Sequence, residues 1–200
     1  MNLTKLFETQ AALDEHIMQE HPELRGQNNL DWKLLALQVE LGECANEWRG
    51  FKKWSKDQEP RTKLYTWING IGECVESKND PRMLAENLQL NAFRIKNSLL
   101  EEYVDCLHFI LSIGLEFDVA EELDWDELTS DEKDLTKQFQ MVFAQVTDLN
   151  DCLFATNEGW QELFGEFYWL GTLLGFTWEQ VEEAYYAKNK VNHERQNVGY

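Results

Sequence analysis

The segment from Tyr103 to Phe117, YVDCLHFILSIGLEF, is apolar almost all the way round when wound at helical pitch. A helix with that pattern lacks a solvent face and belongs in the middle of a core, with other helices packed around it. Yet Glu102, Asp105 and His108 run along it at three-residue steps. Carboxylates spaced this way on one helix face repel each other unless a cation lies between them. A carboxylate in a low-dielectric setting must be paired, protonated or bound to a cation.

A second acidic pair, Glu40-x-x-Glu43, lies on another helical segment. At about 100° per residue, Leu34, Leu37, Leu41, Cys44 and Trp48 form one apolar stripe. Glu40, Glu43 and Glu47 form the adjoining stripe, with Glu40 on the border. Taken alone, these glutamates read as the wet face of an amphipathic helix. Set against the buried helix, Glu40, Glu43, Glu102 and Asp105 make an oxygen-ligand cage for a hard divalent ion. All-carboxylate sites suit magnesium or manganese, whereas zinc normally takes Cys or His. A di-iron bundle is the competing reading, because Asp105-x-x-His108 approximates the Glu-x-x-His pattern of that class. It needs a second such helix. His16, His21 and His193 are preceded three positions earlier by Leu13, Met18 and Lys190, so they lack the required partner.

A length of 200 residues is enough for a sizeable core, and one domain is the default. The net charge of −19 argues against nucleic-acid polymers, which require a basic surface. Any anionic ligand then needs metal or local basic groups to hold it. Cys44, Cys74, Cys106 and Cys152 are widely spaced without a Cys-x-x-Cys, which reads as reduced, buried thiols. No charged-then-apolar leader opens the chain, and no run approaches the ~18 apolar residues of a membrane span. A cytoplasmic protein without membrane contact is expected.

Helical periodicity dominates, and the expectation is an all-α bundle with no sheet. Helices are expected near 3–20, 31–50, 62–77, 82–116, 131–149, 156–174 and 178–190. The acidic stretch from Glu116 to Asp134 reads as a solvated linker and helix start. Thr177 with Gln180 three residues on is a capping-box signature.

Two clusters of positive charge stand out in so acidic a chain. One is Arg49-Gly-Phe-Lys52-Lys53-Trp54-Ser-Lys56, directly after the first acidic helix. The other runs from Lys188 through Lys190 and Arg195 to Tyr200. Basic side chains beside a metal cage suit a polyphosphate.

These residues resemble the dimeric, all-α dUTPases of the all-α NTP pyrophosphatase superfamily. The resemblance runs in order through Gln10-x-x-Leu13-Asp14, Glu40-x-x-Glu43-x-x-Asn46-Glu47, Phe51-x-x-Trp54-Ser, Glu102-x-x-Asp105-x-x-His108-Phe109 and the Lys188–Tyr200 tail. The acidic pairs alone point to the superfamily, which includes MazG-like enzymes; the tail and the first motif select the dUTPase branch. The resemblance implies hydrolysis of dUTP to dUMP and pyrophosphate with Mg2+, for which Mn2+ could substitute. Glu40, Glu43, Glu102 and Asp105 are then the metal ligands, with Glu40 or Glu43 as catalytic base. Lys52, Lys56, Lys188, Arg195 and Tyr200 are implied for the phosphates. Gln10, Asp14, Trp54, His108, Phe109 and Asn192 are implied for uracil and deoxyribose. A homodimer is implied. One domain is expected over 1–200, and the stretch near 57–97, longer than in compact members of the family, departs from the pattern and reads as an inserted or cap segment. The polar residues 188–200 are expected to order only with ligand. Alternatives are a related pyrophosphatase with another base preference, such as dCTP or a MazG-like substrate, and a binding platform for a regulatory protein partner.

Overall fold

The computed structural model describes residues 2–68, 74–78, 94–117, 119, 130–151 and 155–199. Among them the chain forms six α-helices: α1 (Thr4–Glu20), α2 (Leu30–Trp48), α3 (Ser98–Phe117), α4 (Leu135–Asp148), α5 (Asn157–Leu173) and α6 (Trp178–Asn197). A 3-10 turn, Pro22–Leu24, follows α1. The predominantly helical class agrees with the periodicity.

The apolar helix expected from 103 to 117 is α3, and it lies where its composition demands. Tyr103, Val104, Cys106, Leu107, Ile110, Leu111 and Ile113 are all buried. It packs most extensively on α2, and also on α6, α1 and α5. Its partners contribute Leu37 and Leu41 from α2, Phe7 from α1, Trp160 and Phe167 from α5, and Tyr185 from α6. Two buried polar side chains bond to backbone carbonyls within this core. The Trp160 indole donates to the Ile110 carbonyl at 2.8 Å, and the Tyr103 hydroxyl donates to that of Phe167 at 3.0 Å. Cys44 and Cys106 are buried free thiols, as expected.

Local chemistry sets the helix ends. Asn97 accepts from the Leu100 N–H (3.1 Å) at the start of α3, and Thr156 accepts from Gly159 N–H (3.1 Å) at the start of α5. Thr177 and Gln180 form the expected capping box of α6. At the end of α2, Arg49 turns left-handed at φ 65°, a conformation usually left to glycine. Its guanidinium is held there by the Asp57 carbonyl.

Several expectations are corrected. A helix at 62–77 and the absence of a sheet give way to a small antiparallel sheet of β1 (Leu64–Ile68), β2 (Cys74–Ser77) and β3 (Arg94–Lys96), ordered β2-β1-β3. Leu64-Tyr-Thr-Trp-Ile68 is rich in aromatic and β-branched residues, which favour a pleated surface. Tyr65 and Trp67 point to one side and are buried, as alternation requires, yet neither joins the bundle core. Of the expected helix 82–116, residues 94–96 are β3 and the helix runs from Ser98; residues 79–93 lie outside the described residues. At the base of this excursion Arg61 N–H donates to the Glu47 carbonyl (3.0 Å), and Leu99 N–H donates to that of Arg61 (3.2 Å). A further correction is α6, which continues to Asn197 rather than stopping near 190 as an unordered tail. Asn189 is buried in it, and His193 stacks on His16 of α1 with Nδ1 atoms 2.8 Å apart. Those two histidines, read from sequence as partnerless, are each other's partner.

Candidate metal centre and nucleotide cleft

Glu40 of α2 and Glu102 and Asp105 of α3 each present one carboxylate oxygen within 4.8 Å of the others. The placement follows from the helices. Glu40 lies between buried Leu37 and Leu41, and Asp105 lies between buried Val104 and Cys106. The α2–α3 packing that buries these neighbours presses the acids together. Glu43, one turn on from Glu40, is exposed at the rim, outside that trio. Its charge still reaches both glutamates.

The electrostatics are those of carboxylates short of positive charge. Burial pushes Glu40 up to about 7, helped by Asp105 and Glu43 and opposed by Lys188 and Arg195. Burial and the Asp105 charge raise Glu102 to about 7 as well, again against Lys188. Asp105 is raised by burial despite its bond to Lys188. A divalent cation with oxygen ligands would relieve all three, so the donor set fits magnesium or manganese.

The positive side comes from α6. Lys188 Nζ sits 2.6 Å from Asp105 Oδ2 and 3.1 Å from Glu101 Oε1, with a side chain only 10% exposed. Glu101 Oε2 is held in turn by Lys96 Nζ of β3 at 2.7 Å. Arg195 acts at longer range on both Glu40 and Asp105.

The acids open on a cleft of about 510 Å3 between α1, α2, α3 and α6, a volume suited to a small organic ligand. Gln10, Asp14, His108, Phe109, Asn192 and Arg195 line it together with Glu40 and Asp105. A hydrogen-bond chain fixes the wall. Gln10 Nε2 donates to Asp14 Oδ1 (2.7 Å), and the Tyr185 hydroxyl donates to Gln10 Oε1 (2.9 Å). Asp14 Oδ2 accepts from Ser112 Oγ (2.5 Å) and Lys33 Nζ (3.4 Å), and Lys33 also reaches Glu116 at 2.6 Å.

This chain decides the protonation of His108. Its Nδ1 lies 2.9 Å from Gln10 Oε1, an atom that can only accept, so Nδ1 carries the hydrogen. Burial, with a smaller contribution from Lys188, lowers the ring to about 3, so it stays neutral. Nε2 is therefore a bare acceptor, buried and without a partner. Gln196 Oε1, on a second residue of the cleft, is likewise buried and unpartnered. Native interiors leave few such atoms, and a bound ligand is one reason to keep them.

Other residues singled out from sequence lie elsewhere. Lys52 donates to Asn46 Oδ1. Trp54 is 78% exposed and packs edge-on against Phe51, away from the cleft lining. Lys56 is exposed nearby, and Tyr200 lies outside the described residues. Sequence reasoning missed Tyr185, Ser112, Lys33 and Trp32. Tyr185 had a signal: it precedes Lys188, Asn192 and Arg195 at three- and four-residue steps on one helix face.

A family model described as dUTPase matches residues 2–66 and 91–200, leaving out part of the sheet-bearing excursion. No curated protein matches the chain at a significant level.

Proposed function

The chain belongs to the all-α dimeric dUTPase family and is an enzyme of the dUTP diphosphatase class, a hydrolase; from that premise we propose how it acts, on what, and with which ion. The substrate is dUTP and the products are dUMP and pyrophosphate. The family generally uses a divalent metal, here assigned as Mg2+, with Mn2+ able to replace it, held by Glu40, Glu43, Glu102 and Asp105. When bound, the ion supplies Lewis-acid polarisation of phosphate oxygens and neutralises charge on the leaving pyrophosphate. The observation that carries this reading is the convergence of Glu40, Glu102 and Asp105 within 4.8 Å, with Lys188 in contact with Asp105.

Glu40 or Glu43 accepts a proton from water as the water oxygen bonds to the α-phosphorus. The bond from that phosphorus to the bridging oxygen breaks, and the electron pair leaves with pyrophosphate. Lys188 and Arg195 carry the phosphate chain, joined by Lys52, Lys56 and Tyr200. Gln10, Asp14, His108, Phe109 and Asn192 receive uracil and deoxyribose, and Trp54 is assigned to the base from its motif. The bare acceptor at His108 Nε2 favours a base whose ring nitrogen is a donor, as N3–H of uracil is. Cytosine offers an acceptor at that position, and two facing acceptors repel.

The protein is further proposed to be one domain, to act in the cytoplasm and to be a homodimer. Supporting the dimer, Trp32, Leu35 and Val39 form an apolar stripe on α2, 39%, 62% and 52% exposed. Among the described residues no helix is long and apolar enough to cross a membrane.

Pyrophosphate release measured across a dNTP panel with Mg2+ tests the reading. The expected outcome is a clear preference for dUTP over dCTP and dTTP. Glu43→Gln is expected to lower kcat by about 10²–10⁴-fold, the usual contribution of a general base. Equal rates across the panel, or full activity in Glu43→Gln, would overturn it.

A further inference from the structure

Lys188 touches two carboxylates, and only one of them belongs to the metal cage. Its Nζ is 2.6 Å from Asp105 Oδ2 and 3.1 Å from Glu101 Oε1. Glu101 lies one helical turn before Asp105 on α3 and stands outside the Glu40–Glu102–Asp105 trio. Both of its oxygens are committed, Oε1 to Lys188 and Oε2 to Lys96 at 2.7 Å. Lys96 is the last residue of β3, and the next residue, Asn97, caps α3. Glu101 sits in the first turn of α3, where the helix dipole favours a negative charge.

We infer that Glu101 is a positioning residue: a second berth that takes the Lys188 ammonium from Asp105 when a divalent ion engages the cage. The inference rests on the metal-cage reading above. An ammonium and a divalent cation drawn to one carboxylate in a half-buried site repel strongly. Lys188 must therefore yield Asp105 for the ion to bind well. Without a second acceptor it would hold Asp105 against the ion or swing into solvent, away from the phosphates. Glu101 keeps it within a helical turn of Asp105, and Lys96 prevents Glu101 from rotating away. The lysine thus competes with the ion before binding and stays at the cleft after it.

Mn2+ titration of nucleotide-free protein, followed by calorimetry and by the electron paramagnetic resonance signal of free Mn2+, tests this. Lys188→Met is expected to bind Mn2+ about tenfold tighter than wild type, because a competitor is gone. Glu101→Gln is expected to bind it about tenfold weaker, because Lys188 then has only Asp105. In the Lys188→Met background Glu101→Gln is expected to change affinity less than twofold, the non-additivity of residues acting through one another. Equal weakening by Glu101→Gln in both backgrounds would mean that Glu101 acts through its field or as a ligand, and would overturn the inference. Tighter binding by Glu101→Gln would overturn it too. Lys188→Gln repeats the cycle should the methionine variant not fold. Failure of wild type to bind Mn2+ at all would remove the cage reading itself, an outcome distinct from binding that is indifferent to Glu101.

Discussion

Glu40 and Glu102 hold protons at a pH where an ordinary glutamate does not. Each titrates near 7 in the metal-free fold, against 4.5 for the unfolded chain. Below pH 4.5 both states are protonated and the contribution is fully present; between 4.5 and 7 only the folded state keeps these protons, so stability falls as pH rises through 7. Metal-free protein is therefore expected to lose stability from these two groups between pH 5 and 8, and Mg2+ is expected to restore it at the upper end. Thermal melts at several pH values with and without Mg2+ check this. Ion binding at pH 6 is expected to release protons, seen as a buffer-dependent calorimetric heat, and to release few at pH 8. A second residue-scale expectation concerns Gly171. Alanine normally helps a helix interior by about 1 kcal/mol over glycine. Here a Cβ would collide with the Tyr103 hydroxyl, which is buried and bonded to the Phe167 carbonyl. The collision decides the sign. Gly171→Ala is expected to destabilise by about 1–3 kcal/mol in denaturant unfolding. At this scale the acids were legible in sequence, because carboxylates on a helix apolar all round have no benign explanation. The Tyr185–Gln10–His108 chain was not. It joins residues up to 175 positions apart, and no local pattern encodes such a meeting.

The helices were legible where caps and periodicity agreed. Thr177 and Gln180 placed the start of α6, and Thr177→Ala is expected to cost about 1 kcal/mol, read from thermal or urea unfolding. The far end of α6 was not legible, because its anchors are tertiary: Lys188 on Asp105, and His193 on His16. A polar helix held by ion pairs looks like a frayed tail in isolation. The strands failed for the opposite reason. Leu64–Ile68 is too short for period 2 to outweigh a helical reading, and its partners Cys74–Ser77 and Arg94–Lys96 come only from pairing.

For the molecule as a whole, a charge of −19 leaves acids in large excess over bases, and Lys188 and Arg195 act on the acids of the cage while Lys96 and Lys188 hold Glu101 beside them. The exposed stripe on α2 begins with Trp32, which also lines the cleft, so association there would wall the cleft as well. Leu35→Asp with Val39→Asp is expected to give a monomer of 23.6 kDa in sedimentation, where wild type runs at about twice that mass. A monomeric wild type would remove this assignment. The closed base of the sheet-bearing excursion has its own consequence. With Leu99 bonded to Arg61, and Tyr65 and Trp67 outside the bundle core, the chain leaves and re-enters the bundle through one doorway. What hangs beyond a doorway of that kind can change length cheaply, since each doubling of a closed loop costs only about 0.6 kcal/mol. It is the natural graft point for a reporter or an added module, since cargo placed there leaves the bundle's own packing untouched.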